Sequence, residues 1–194
     1  MSDAPDLPNR RQRALITREK LLSAAREEFQ RHGFAGARID AIAAGAGMNK
    51  RLIYVHFGDK EGLFDAVVTR NLEAVVHDVP FDAADLPGYA VRLFDYWSEH
   101  PEAARLFWWR NLERSATTEV EEAAYRGMID QIAPADDGPN SHALPPSHLF
   151  AFILGLLQAW AIPSGSLDPA GAATEHGLRR KSVREAAERL VLHR

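Results

Sequence analysis

The chain has 194 residues, 46% hydrophobic and 26% charged, which suits one domain, or a small domain joined to a medium one, with matter enough for a core. It contains no cysteine, so a disulfide framework, thiolate chemistry and zinc–cysteine sites are excluded. The net charge of −4 hides an asymmetry: residues 1–60 carry 11 Lys and Arg against seven Asp and Glu, a net +4, while residues 61–194 carry 12 against 20, a net −8. A basic head on an acidic body puts any nucleic acid at the N-terminal end.

The opening MSDAPDLPNRRQRA lacks the apolar core of a secretory signal. Its first 14 residues read as a flexible basic arm carrying RRQR at 10–13. Thr17 is placed to cap a first helix reaching about His32, with Leu22, Ala25 and Phe29 as its stripe and Gly33 as its stop. A short helix follows over 39–46, with Ile39, Ile42 and Ala43 on one face. Asn49 suits the N-cap of a third helix over 50–56, and Asp59 that of a fourth reaching about Asp78. Further helices are expected with Pro87 in the first turn, with Pro101 at the first position, and over about 117–133. Loops at 134–146 and 163–168 flank an apolar helix over 147–162. Ser182 and Glu185 form a capping box for part of the last helix. No Asn-Gly or Asp-Gly turn joins alternating segments. The longest apolar run, 148–162, is interrupted by Gln158 and falls short of the ~20 residues that cross a bilayer. A cytoplasmic all-α protein without a membrane partner is expected.

The informative stretch is IDAIAAGAGMNKRLIYVHFGDKEGLF, residues 39–64. A glycine loop that cradles phosphate follows a buried strand and ends in Gly-Lys-Ser/Thr; here the glycines follow an Ala-rich helical segment and that ending is missing. Two short helices, a glycine turn and a basic leading end instead fit a helix-turn-helix, whose second helix enters the major groove of DNA. Asn49, Lys50 and Arg51 lie at that leading end, and Leu52 is placed to touch a thymine methyl. Tyr54 and His56 are expected on the outer face as donors to phosphate, with Lys60 and the start of the fourth helix as a further anion site.

Residues 17–64 resemble the DNA-binding head of the tetracycline-repressor-like (TetR) family: Gly33-Phe34, Ile42-Ala43, Ala46-Gly47, Ile53-Tyr54, His56-Phe57, Lys60-Glu61 and Leu63 fall where that family keeps its pattern. Arg38 stands where the family often has Ser or Thr, so it is suited to a phosphate contact but not to the cap. Arg51-Leu52 replace a small residue followed by Thr or Ser, which bears on the operator and leaves the fold unaffected. The resemblance implies a three-helix DNA-binding domain over 15–60 and a helical ligand-binding and dimerisation domain over 61–194.

In that second domain Phe94, Trp97, Trp108 and Trp109 are candidates to line a pocket, with Arg105, Arg110, Asn111 and Gln158 as polar anchors. The helix over 147–162 is apolar nearly all round and must be covered on every side. With the last helix it would make a four-helix dimer interface, as the family does, through Phe152, Gly155, Leu156, Ala159, Val183, Ala187 and Leu190. No catalytic residue, metal site or cofactor is assigned. The expected function is a ligand-responsive regulator, most simply a repressor released from a palindromic operator by a small-molecule effector. Two readings compete: an enzyme using an apolar helical pocket and a phosphate-binding Gly45–Lys50 loop, and a non-DNA helical adaptor.

Overall fold

The computed structural model describes residues 9–113, 117–132, 144–159 and 176–191, and all regular structure among them is helical. The α-helices are α1 (Arg10–Gly36), α2 (Ile39–Gly45), α3 (Arg51–Phe57), α4 (Lys60–Asp78), α5 (Leu86–Glu99), α6 (Pro101–Glu113), α7 (Glu119–Ile132), α8 (Pro146–Gln158) and α9 (His176–Val191), with a 3-10 turn at Ala83–Asp85. The expected loops at 134–146 and 163–168 fall largely or wholly outside the described residues, as does Trp160.

Side-chain caps set most of the starts. The side chain of Asn9 accepts from the Gln12 N–H at 2.9 Å, while that of Gln12 accepts from the Asn9 N–H at 2.7 Å. This reciprocal box starts α1 seven residues before Thr17, which lies inside the helix. Arg10, Arg11 and Arg13 therefore stand on helical turns and not on a flexible arm. Asp59 accepts from the Gly62 N–H at 2.7 Å and caps α4 as expected. Asp85 accepts from the Gly88 N–H at 2.8 Å beside Pro87. Thr118 and Glu121 cap α7 reciprocally, at 2.8 and 3.2 Å. Ser182 and Glu185, by contrast, lie in the interior of α9, whose hydrogen bonding already runs through them from His176.

The chain divides into two compact units. The first holds the described residues to Asn71 and those of α6 from Glu102. Its core joins Leu21, Leu22, Ala25 and Phe29 of α1 to Ile42 and Ala43 of α2, Ile53 of α3, Leu63, Phe64 and Val67 of α4, and Leu106 of α6. Phe29 meets Phe64 edge to face at 4.9 Å, and Phe34 lies 5.1 Å from the same ring. An ion pair between Arg70 and Glu19 ties α4 to α1. The boundary thus differs from one at residue 60: the head keeps the first part of α4 and takes in α6.

The second unit packs α5 against α9 and α8, and α7 against α8. Tyr89, Leu93, Phe94, Trp97, Ile132, Leu149, Phe150, Ile153, Val183 and Ala187 are buried in it. Arg180 of α9 donates through Nε to both carboxylate oxygens of Asp95 on α5, at 2.9 and 3.1 Å.

Candidate nucleic-acid interface

In the first unit, α2 and α3 are joined by a turn that the sequence dictates closely. Gly45 is the last residue of α2, not part of a loop, so no glycine cradle precedes Lys50. Gly47 takes φ +66°, and the Met48 N–H returns to the Ala43 carbonyl at 2.9 Å. Beyond its two chain neighbours, no atom lies within 4 Å of a Cβ built on Gly47, so only the left-handed backbone calls for glycine there. The side chain of Asn49 accepts from the Arg51 N–H at 2.8 Å, but the residue at the N-cap of α3 is Lys50, one position later than expected, and it makes no side-chain cap bond. Ile53 is fully buried and seats α3 on the core.

With Ile53 inward, helical phase settles the rest. Arg51, Tyr54 and Val55 are exposed on one face. Leu52, His56 and Phe57 are half-buried on the flanks and inner side. Two expectations change. Leu52 packs against the head's core, so its side chain is engaged there and not presented to a thymine methyl. Tyr54 and His56 do not share the outer face, because residues two apart on a helix point in nearly opposite directions. The residue missed is Val55, at 67% exposure one of the most exposed large apolar side chains described. Its signal was the spacing 51, 54, 55, which marks one face even though an isolated valine reads as core by default.

Three of the cations around α3, Lys50, Lys60 and Arg18, have defined partners. The Lys50 ammonium lies 3.1 Å from Asp40 Oδ1 on α2. Lys60 turns toward the unit, its ammonium 3.4 Å from the Ala35 carbonyl and 4.9 Å from the centroid of Phe34. It is thus less open than an anion site at the start of α4 requires. Arg38, exposed at the start of α2, makes no side-chain cap; its backbone N–H donates to Glu28 at 3.1 Å. Arg18 lies 5.2 Å over the ring of Phe57.

The expected pocket residues divide between the units. Arg105, Trp108, Trp109 and Asn111 lie on α6 in the first, and Phe94, Trp97 and Gln158 in the second. Arg105, Asn111 and Gln158 are exposed, whereas Arg110 is buried on the inner stripe of α6 with Leu106. Trp109 packs against Gly33 of the head.

The residues expected at a dimer interface divide between the surface and the interior of the second unit. Leu149, Phe150, Ile153 and Leu157 of α8 face their own unit, leaving Phe152, 52% exposed, with Gly155 and Ala159 on the opposite stripe. With Leu156, Ala186, Arg189 and Leu190 these line an open apolar depression of about 460 Å³. Val183 and Ala187, expected in the same surface, are buried within the chain, because α9 turns that stripe inward.

A family model described as bacterial regulatory proteins, tetR family, matches residues 21–67. A second, described as tetracyclin repressor-like, C-terminal domain, matches residues 85–189. The HTH-type transcriptional repressor SCO4008 of Streptomyces coelicolor is 37% identical over 185 residues, covering 90% of this chain and 95% of its own length. The HTH-type transcriptional repressor NicS of Pseudomonas putida is 35% identical over 113 residues, 54% of this chain and 53% of its own. The crystal structure of SCO4942 from Streptomyces coelicolor matches with a TM-score of 0.74 at 34% identity, covering 89% of this chain and 97% of that one. A TetR-like regulator from Rhodococcus sp. RHA1 shares the fold, with a TM-score of 0.66 at 20% identity over 95% of this chain and 97% of that one.

Proposed function

Because the chain belongs to the TetR family of transcriptional regulators, we propose that it is a repressor that holds a palindromic operator as a homodimer and leaves it when a small molecule occupies its helical body. That it is a DNA-binding regulator follows from the family. The observation that carries the finer reading is the outer face of α3, where Arg51, Tyr54 and Val55 stand exposed beside Lys50. Arginine and lysine supply phosphate contacts and bidentate contacts to guanine. Tyr54 supplies a hydroxyl, and Val55 an apolar surface suited to a thymine methyl.

Repression is supported by SCO4008, itself named a repressor and alike over nearly the whole chain. Release by an effector requires that the effector bind the operator-incompetent state more tightly, by several kcal/mol for full emptying of the operator. The phosphate-loop alternative loses its basis, since Gly45 is helical and no strand precedes it among the described residues. No helix among the described residues is long and apolar enough to cross a membrane.

The test is selection of bound duplexes from a random pool at near-physiological salt, followed by titration of the selected site. A palindromic consensus is expected. Lys50→Ala with Arg51→Ala should weaken binding to it by a hundredfold or more, on the order of 3 kcal/mol for two lost contacts, with unchanged thermal unfolding. Normal binding by that variant would remove α3 as the reading helix.

A further inference from the structure

We propose that Glu28 of α1 is a positioning residue for DNA binding: it closes the start of α2 from outside that helix and so leaves the Arg38 guanidinium for a DNA phosphate. The proposal rests on α2 and α3 being the DNA-binding helix pair. A capping box closes a helix start with two side chains: a Ser or Thr at the N-cap accepts from the N–H three residues on, and a Glu or Gln at that later position accepts from the N-cap N–H. In α2 those positions hold Arg38 and Ala41. Arginine has no acceptor and alanine no polar side-chain atom, so neither half of the box can form. Arg38 accordingly makes no side-chain cap. Its N–H donates instead to Glu28 Oε1 at 3.1 Å, ten residues back on α1. The Glu28 side chain is only 14% exposed, so this carboxylate is seated in the head. The link between the helices is just Ala37 and Arg38. Three bonds hold its backbone: the Ala37 N–H on the Gly33 carbonyl at 3.3 Å, the Ile42 N–H on the Arg38 carbonyl at 3.0 Å, and the Arg38 N–H on Glu28.

An arginine in place of a capping residue adds a cation at the head of α2. The Arg38 side chain is exposed and has no hydrogen-bond or ion-pair partner among the described residues. In a helix-turn-helix the first helix crosses the DNA backbone while the second enters the groove. An arginine at the start of that first helix meets phosphate, a contact that fixes register and carries no sequence information. A seven-residue helix frays readily from an unsatisfied end. Arg38 is that end, so loss of Glu28 loosens the backbone from which the guanidinium reaches. Net charge alone predicts the opposite, because removing a carboxylate from the head strengthens its attraction to a polyanion. The sign of the effect therefore separates positioning from charge.

The experiment titrates the selected operator across a salt series with the wild-type chain, Glu28→Ala, Glu28→Gln, Arg38→Ala and the Glu28→Ala, Arg38→Ala double variant. Glu28→Ala is expected to weaken binding on the order of three- to tenfold and to lower the salt slope by about one counterion, as Arg38→Ala does. Glu28→Gln, whose amide oxygen still accepts, should stay within about twofold of wild type. In the Arg38→Ala background Glu28→Ala should add little, whereas a merely structural loss would add in full. Hydrogen exchange at the Arg38 amide should quicken in Glu28→Ala and not in Glu28→Gln. Ala41→Glu supplies the missing half of the box from within α2. Ala41 is exposed and lines the same open groove between α1 and α2 as Glu28, so Ala41→Glu should restore binding to Glu28→Ala, and its folding if that is lost. The proposal is overturned if Glu28→Ala binds the operator as tightly as wild type or more so, if its loss persists without Arg38, or if neither Glu28→Gln nor Ala41→Glu preserves binding. Arg38→Ala with unchanged affinity and salt slope would also overturn it while leaving the reading by α3 intact. A wild-type chain that selects no duplex would remove that reading itself.

Discussion

Val55 and Leu52 are branched aliphatic residues on the same seven-residue helix, separated by about 60° of helical phase. That difference is enough to give them opposite tasks: Leu52 rests on the head's core, and Val55 stands in solvent on the outer face. Leu52→Ala should lower stability by about 2 kcal/mol through lost packing, with DNA affinity following only as far as folding does. Val55→Ala should leave stability within about 0.5 kcal/mol but weaken operator binding several-fold, on the order of 1 kcal/mol for two lost methyl groups in contact. Chemical denaturation paired with operator titration separates the two, and Val55→Ala with unchanged operator preference would leave Val55 no part in reading. In the second unit, Tyr89 is buried, which pushes its phenol up to about 12; nearby Tyr125 adds to the rise and Arg92 opposes it. An unfolded tyrosine titrates near 10, so the fold favours the neutral phenol. The resulting stability is complete below pH 10 and is lost as the pH climbs toward 12, on the order of 2–3 kcal/mol in all. Urea unfolding at pH 8 and pH 11.5 should show that loss, and Tyr89→Phe should lose less over the same interval.

Helix α6 shows what element-level reading captures and what it leaves out. Its existence is legible, because Pro101 suits a first helical position and the spacing of Ala103, Leu106 and Arg110 follows one stripe. Its partner is not. The Glu113 carboxylate accepts from the Ala35 N–H at 2.8 Å across 78 residues of sequence, and no local pattern encodes a contact of that range. The same limit explains why α9 hides Val183 and Ala187 while exposing Arg189: an apolar stripe announces burial but not what buries it. The helix-turn-helix is legible in detail because its determinants are local, namely the Asn49 side chain on the Arg51 N–H, the Gly47 turn and the Asp59 cap. The early start of α1 was equally local, since Asn9 and Gln12 form the box, but arginines outside an apolar stripe read as a tail. The contact of α6 with α1 carries a prediction. Gly33 takes φ +67° at the α1 kink, and a Cβ there would come 2.7 Å from Glu113 and 3.1 Å from the Trp109 ring. Gly33→Ala therefore combines left-handed strain with a collision against α6, and should cost about 1–3 kcal/mol. Gly47→Ala, strained but unobstructed, should cost about 1 kcal/mol. Equal losses in thermal or urea unfolding would show that α6 does not press on the α1 kink in solution.

At the scale of the whole molecule, the α8–α9 surface and the shortness of α3 point to the same requirement. A seven-residue helix reaches only a few base edges, too few for a regulator's specificity. Two copies on a two-fold axis double the reading and restrict it to half-sites at one spacing, about 34–36 Å for one helical turn. We propose the apolar depression lined by Phe152, Gly155, Leu156 and Leu190 as the surface for the second copy, since a two-fold contact sets the same patch against itself. Phe152, half-exposed in the single chain, can be changed without opening the core. In a contact made through that depression, Phe152→Glu would bring one unpaired carboxylate from each copy into an apolar surface. Sedimentation should then show a monomer of unchanged helicity. Operator affinity should fall by two orders of magnitude or more, because the second head no longer binds at the high effective concentration that linkage provides. Insertion of five base pairs between half-sites should defeat the wild-type dimer, turning one half-site to the far side of the duplex, while leaving the weak binding of the monomeric variant unchanged. A Phe152→Glu protein that stays dimeric and keeps its operator affinity would place the subunit contact on another face.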